Sequence, residues 1–252
     1  MLAYKVMMTT KTARPGVGYL LVGAVLGYVG GQVLALLLVV LIGVAKGQHH
    51  LASSIDASPA PWWVTAGGFV GLWSGMLAFV RWAARTESLR WPAGTWRFAG
   101  ITDVLYVALG VGLQVVLDLC YQPFHARSLN HPVTNLFGAA HGAAFVLVAV
   151  MTTVGAPLVE ECFFRGVLYR GLAQSWRERW GRRGVALAIV SSGLLFGLAH
   201  GELVQLPGLA VTGVVLAFVY ERSRRLLPSV LVHIGFNSLT VIGLVLQRGG
   251  HA

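Results

Sequence analysis

Of 252 residues, 56% are apolar and only 11% carry a formal charge, 19 Lys or Arg against 9 Asp or Glu. Soluble domains run near a quarter charged, which excludes an ordinary soluble enzyme, a disordered chain and a disulfide scaffold and leaves a polytopic membrane protein. The net charge of +10 would mark a nucleic-acid footprint only if its cations clustered on one face of a folded domain.

A helix needs about 20 apolar residues to cross roughly 30 Å of hydrocarbon. Residues 17–45, 61–82, 99–119, 136–159, 185–200, 207–220 and 229–246 qualify in chain order. They predict an all-α fold, a polytopic transmembrane helix bundle of about seven spans with six to eight as its bounds, in a single membrane domain over residues 1–252. Lys5, Lys11 and Arg14 precede an uncharged run much longer than the roughly 7–15 apolar residues of a signal peptide, so the first segment reads as a retained span. Gly23, Gly27, Gly30 and Gly31 within it suit close helix packing. Asp103 and Asp118 fall near the two ends of the third segment, where they reach interfacial water. His141 lies five residues into the fourth, a position that suits a helix-packing hydrogen bond. His49, His50, His125, His131 and His251 fall in loops or the tail and read as solvated. Cys120 and Cys162 have no metal-ligand spacing and read as small buried thiols.

With the amino terminus cytoplasmic, fifteen of the cations fall in inside segments and three, Lys46, Arg127 and Arg248, in outside ones. That asymmetry follows the positive-inside rule, so the basic charge sets topology and implies no nucleic-acid partner. It orients the chain with its amino terminus cytoplasmic and its carboxyl terminus outside, with membrane lipid as its surroundings. Trp62, Trp63, Trp82, Trp91 and Trp96 cluster near proposed span ends, as interfacial aromatic belts do.

Ionisable groups inside spans cost about 2.5–3.5 kcal/mol each on insertion scales, so they mark candidate functional positions. The stretch from Ala156 to Gly166 holds Glu160, Glu161 and Arg165 on what reads as one helix, with Pro157 in its first turn. Glu161 and Arg165 are spaced i, i+4 with the acid first, the favoured order for a structural ion pair. Glu160 faces about 100° away and has no cation at i+4, which leaves its carboxylate for general-base work. Phe196 and His200 are four apart on a later segment, as are His233 and Asn237 on the last. One unpaired glutamate, two histidines and an asparagine on three helices are expected to converge on one buried polar cavity.

Such a set has the parts for adding water to an acyl carbon. Glu160 and His200 would hold and deprotonate the water, while His233 and Asn237 would donate to the oxyanion. Glu160, His200 and His233 are also the donor types of an open divalent metal site such as zinc. The H-E-x-x-H zinc-protease signature is absent, Ser74 and Ser192 have no dedicated base, and Asp103 and Asp118 share one helix, which argues against an aspartyl dyad. A polytopic binding or transport protein, with the same groups forming a substrate or proton path, belongs to a different class of reading.

Glu160-Glu161-x-x-x-Arg165, Phe196-x-x-x-His200 and His233-x-x-x-Asn237, in that order near the carboxyl end, resemble the three motifs of the CPBP family. That family comprises the type II CAAX prenyl endopeptidases and their bacterial relatives, the Abi proteins. The resemblance covers about residues 152–245, which it marks as the catalytic core. It implies an intramembrane endopeptidase acting on a membrane-associated protein or peptide, prenylated or not, in a bacterial or archaeal plasma membrane. Carried over residue by residue, it implies Glu160 as base with His200, His233 with Asn237 as oxyanion stabilisers, and Glu161, Arg165 and Phe196 as supporting residues. Because Asn237 is a poor metal ligand and a good donor, the favoured form is a glutamate protease without a cofactor; the metal-dependent form is the alternative.

Counted inward from the basic loops at 1.5 Å per residue, Asn237 lies about 13 Å deep and His200 about 24 Å deep. For them to meet, the stretch near 176–184 must continue as helix or a span must break, with residues 155–157 the expected break point.

Overall fold

The computed structural model describes residues 16–48, 51–55, 57, 59–85, 89, 91, 93–124, 136, 137 and 139–249. Expectations for Lys5, Lys11, Arg14, His49, His50, His125, Arg127, His131 and His251, and for the side chain of Arg248, lie outside them. The described residues form helices and no strand: α1 (Val17–Ala45), α2 (Leu51–Ile55), α3 (Trp62–Ala83), α4 (Ile101–Tyr121), α5 (Gly142–Val150), α6 (Ala156–Phe163), α7 (Arg170–Ala199), α8 (Leu206–Ser223) and α9 (Leu226–Gly249). Leu, Val and Ala cover the outward faces of α1 and α4, where Leu26, Leu41, Leu105 and Ile101 are exposed as a lipid-facing surface requires.

Three helix pairs are brought together by small residues, α1 with α3 and α7 with α8 antiparallel, and α4 with α9 parallel because both start beside the Asp103–Arg225 contact. α1 meets α3 where Gly71 lies against Ala35, α4 meets α9 where Gly110 lies against Val232, and α7 meets α8 where Gly193 lies against Val214. A Cβ at Gly71 would sit 2.2 Å from the Ala35 nitrogen, so the helix axes must separate to admit one. Gly71→Ala is expected to cost about 1–3 kcal/mol. The control Gly68→Ala, with nothing within 4 Å of the added carbon, should be neutral or stabilising. Thermal unfolding of both variants in detergent tests the contrast.

Between these pairs runs a column made of α5, a π-helical turn (Met151–Gly155), α6, a second π-helical turn (Phe164–Tyr169) and the start of α7. The fourth predicted segment thus enters its helix at Gly142, later than expected, and His141 precedes the helix, exposed, rather than packing inside it. Residues 155–157 do not break the column; the distortion is the π-turn that ends there. α7 is helical through the stretch near 176–184 except at Gly181, whose φ of 57° and ψ of −131° fold the chain back on itself. Only glycine adopts that backbone readily.

Among the described residues five helices are long and apolar enough to cross a membrane: Val17–Ala45, Trp62–Ala83, Ile101–Tyr121, the 58-residue Gly142–Ala199 and Leu226–Leu246. Hydropathy along the sequence predicts seven. Two of the predicted segments fall inside the single stretch from Gly142 to Ala199, and α8 has 18 residues that end in the charged pair Glu221 and Arg222.

The basic connections gather at one end of the bundle. Arg225 Nη1 donates to the Arg97 carbonyl at 2.7 Å, Arg170 Nη1 to the Leu89 carbonyl at 3.1 Å, and Arg177 pairs with Glu221 at 2.6 Å. Asp103 does not reach interfacial water as expected: it is fully covered and holds Arg225 through two hydrogen bonds of 2.7 and 2.9 Å. A carboxylate so placed needs a forked cation, and the loop arginine supplies it.

Candidate functional site

α6 carries Glu160 and Glu161, bracketed by the two π-turns. Each π-turn admits an extra residue, widens the helix and rotates the residues after it about the axis. Pro157 sits in the first turn of α6, where its missing N–H is tolerated.

Glu161 is wholly buried and accepts three hydrogen bonds. Arg165 Nη1 donates to Oε1 at 2.7 Å, His233 Nδ1 donates to the same oxygen at 3.0 Å, and the Ser229 hydroxyl donates to Oε2. Arg165, also wholly buried, extends Nη2 to the Gly213 carbonyl at 2.9 Å and lies 4.6 Å from the centre of the Phe196 ring. Four helical elements, α6, the second π-turn, α8 and α9, are thereby tied through one carboxylate and one guanidinium.

Glu160 is placed differently. Its Oε2 makes no hydrogen bond among the described residues and faces His233 Nε2 at 3.9 Å, beyond direct bonding distance. Since a carboxylate only accepts, the Glu161 contact requires His233 to carry a proton on Nδ1, which leaves the Nε2 edge for chemistry beside Glu160. His200 caps the carboxyl end of α7 and donates from Nδ1 to the Phe196 carbonyl at 2.8 Å, so its Nε2 is an acceptor in the neutral ring. The Phe196 ring lies 4.7 Å from the His200 ring and 5.5 Å from the His233 ring. One aromatic side chain therefore touches both histidines and the Arg165 guanidinium. Asn237 Nδ2 donates to the Thr152 carbonyl at 2.9 Å, in the first π-turn.

The depth mismatch between His200 and Asn237 narrows through an offset between α8 and α9. Ser229 Oγ also reaches the Leu216 carbonyl at 3.3 Å, so these residues lie abreast. Ser229 is four residues past Arg225 and Leu216 nine before it. The last helix therefore starts about 7 Å further in than a symmetric hairpin would.

Among the described residues no three His, Cys, Asp or Glu side chains are gathered closely enough to hold a metal ion. Glu160 and His233 approach each other at 3.9 Å, and the Nδ1 bonds of His200 to Phe196 and of His233 to Glu161 leave both Nε2 atoms available.

Two contributors fall outside the three motifs. Ser229 precedes His233 by four residues, so Ser229, His233 and Asn237 fall at i, i+4 and i+8 on one helix face, a spacing that was available in the sequence. Tyr28 on α1, whose hydroxyl donates to the Ala199 carbonyl beside His200, gave no such signal, because α1 is apolar on every side.

Residues 134–239 match the family described as type II CAAX prenyl endopeptidase Rce1-like. The "Putative membrane peptidase YdiL" of Bacillus subtilis (strain 168) is 25% identical over 99 residues, which cover 39% of this chain and 38% of that protein. The "UPF0177 protein YbdI" of Lactococcus lactis subsp. lactis (strain IL1403) is 26% identical over 179 residues, 69% of this chain and 86% of that protein. No solved structure matches the chain.

Proposed function

We propose that this chain, whose residues 134–239 belong to the Rce1-like type II CAAX prenyl endopeptidase family, is an integral membrane endopeptidase that cleaves a membrane-associated protein or peptide with a glutamate-activated water. The observation that carries the reading is the contrast between adjacent glutamates. Glu161 is saturated by Arg165, Ser229 and His233, whereas Glu160 turns an unbonded oxygen toward the free edge of His233.

In this reading Glu160 removes a proton from water, which His200 Nε2 helps to hold, and the resulting hydroxide attacks the scissile carbonyl. His233 acts in its doubly protonated form, with Nδ1–H on Glu161 and Nε2–H on the oxyanion. The N–H of Asn237 that is not committed to Thr152 joins it. The proton held by Glu160 then passes to the leaving amine, so the base of the first step is the acid of the second. The amino terminus is cytoplasmic, and the end of the bundle that gathers Arg97, Arg170, Arg177 and Arg225 faces the cytoplasm.

The chemistry is carried by side chains of this chain without a resident metal. Purified protein in liposomes, given membrane-tethered peptides with and without a prenyl group, should cleave at least one of them at an unchanged rate after exhaustive chelation. Loss of cleavage on chelation, restored by zinc, would replace this mechanism with the metal-dependent one. Cleavage undiminished in both Glu160→Ala and His200→Ala would sink the enzyme assignment.

A further inference from the structure

The first π-turn has a defect in its hydrogen bonding. In a π-turn each carbonyl accepts from the N–H five residues on, and the Ala156 N–H does bond the Met151 carbonyl. The next carbonyl in the series, that of Thr152, would accept from residue 157, which is Pro157 and has no N–H. An uncompensated carbonyl in hydrocarbon costs several kcal/mol in general, so it needs a donor from elsewhere. The donor is Asn237 Nδ2, at 2.9 Å from a different helix. Because the Thr152 carbonyl only accepts, the amide nitrogen must face it.

We infer that Asn237 has a positioning role beside its oxyanion contact: the N–H it gives to Thr152 stands in for the backbone N–H that Pro157 lacks and holds the π-turn, and so the start of α6, in register. Glu160 follows Pro157 by three residues, less than one helical turn, so any change in that register moves its carboxylate relative to His233. His233 and Asn237 are themselves one turn apart on α9. A single helix thus presents one side chain to Glu160 and another to the turn that aims Glu160. The consequence for catalysis rests on the reading of Glu160 as the base; the clamp on the π-turn does not.

The test is a double-variant cycle in the full chain, because Pro157→Ala returns an N–H to residue 157 without supplying any donor to an oxyanion. Asn237→Ala should lower kcat by about 10³-fold with little change in KM, about 10²-fold from the lost oxyanion donor and the rest from misplacement of Glu160. It should also speed hydrogen exchange of the backbone amides over residues 156–163. Adding Pro157→Ala to Asn237→Ala should recover about tenfold of the lost kcat, return the exchange toward the wild-type rate, and raise the yield of folded protein if Asn237→Ala lowers it. A double variant no better than Asn237→Ala in kcat, yield or exchange overturns the inference, as does unchanged exchange over 156–163 in Asn237→Ala. Should wild type cleave no peptide offered, the peptidase reading fails while exchange still decides the clamp.

Discussion

Glu160→Gln is expected to lower kcat by about 10²–10⁴, the usual contribution of a general base, while leaving the thermal unfolding midpoint close to wild type. The amide fills the same volume and can hydrogen-bond water, but it cannot take up a proton. The group it replaces makes no hydrogen bond whose loss would unfold the bundle, since Oε2 is unbonded and its neighbour across the site stands at 3.9 Å. Glu161→Gln should do the reverse in rank. Its carboxylate accepts from Arg165, His233 and Ser229 together, so the neutral amide leaves a buried guanidinium without its counter-charge and lowers stability first. Cleavage assays and unfolding curves on the same two preparations check the pair. Equal effects of both substitutions on both measurements would remove the distinction on which the mechanism stands.

Arg165→Met should destabilise the protein by about 3–5 kcal/mol, because it strips the cation from a carboxylate with no exposed surface. The loss exceeds that of a surface ion pair, which contributes roughly 0–1 kcal/mol. The guanidinium also spans the Gly213 carbonyl on α8 and the Phe196 ring on α7, and methionine fills the volume without either contact. Adding Glu161→Gln to Arg165→Met should recover part of the loss, since the orphaned charge is then gone. Thermal unfolding in detergent of the single and double variants measures the coupling. Arg165→Met as stable as wild type would show that the pair carries no structural weight.

Helix boundaries were largely legible, because apolar runs and the Pro157, Gly and charged punctuation are local signals. The segments expected at 17–45, 61–82 and 99–119 lie within one or two residues of α1, α3 and α4. The i, i+4 spacings were legible for the same reason: one turn of helix places Glu161 on Arg165, and the Phe196 carbonyl on the His200 ring, with no help from the rest of the fold. The surroundings of His141 and Asp103 were not. Distance from a segment end misplaces both, whereas the helix start at Gly142 and the approach of Arg225 decide what surrounds them.

What the sequence determined by itself is therefore the membrane class, the in-helix pairs and the identity of Glu160 as the acid without a local cation. Only the tertiary structure decided that Glu161 answers to Ser229 and His233, that Phe196 touches two histidines, and that Asn237 reaches back to Thr152. The division has a physical cause. Within one helix, 3.6 residues per turn fixes which side chains meet. Between helices, meeting depends on axial offset and rotation, and these come from glycine contacts such as Gly193 on Val214, from the π-turns around α6 and from the reversal at Gly181.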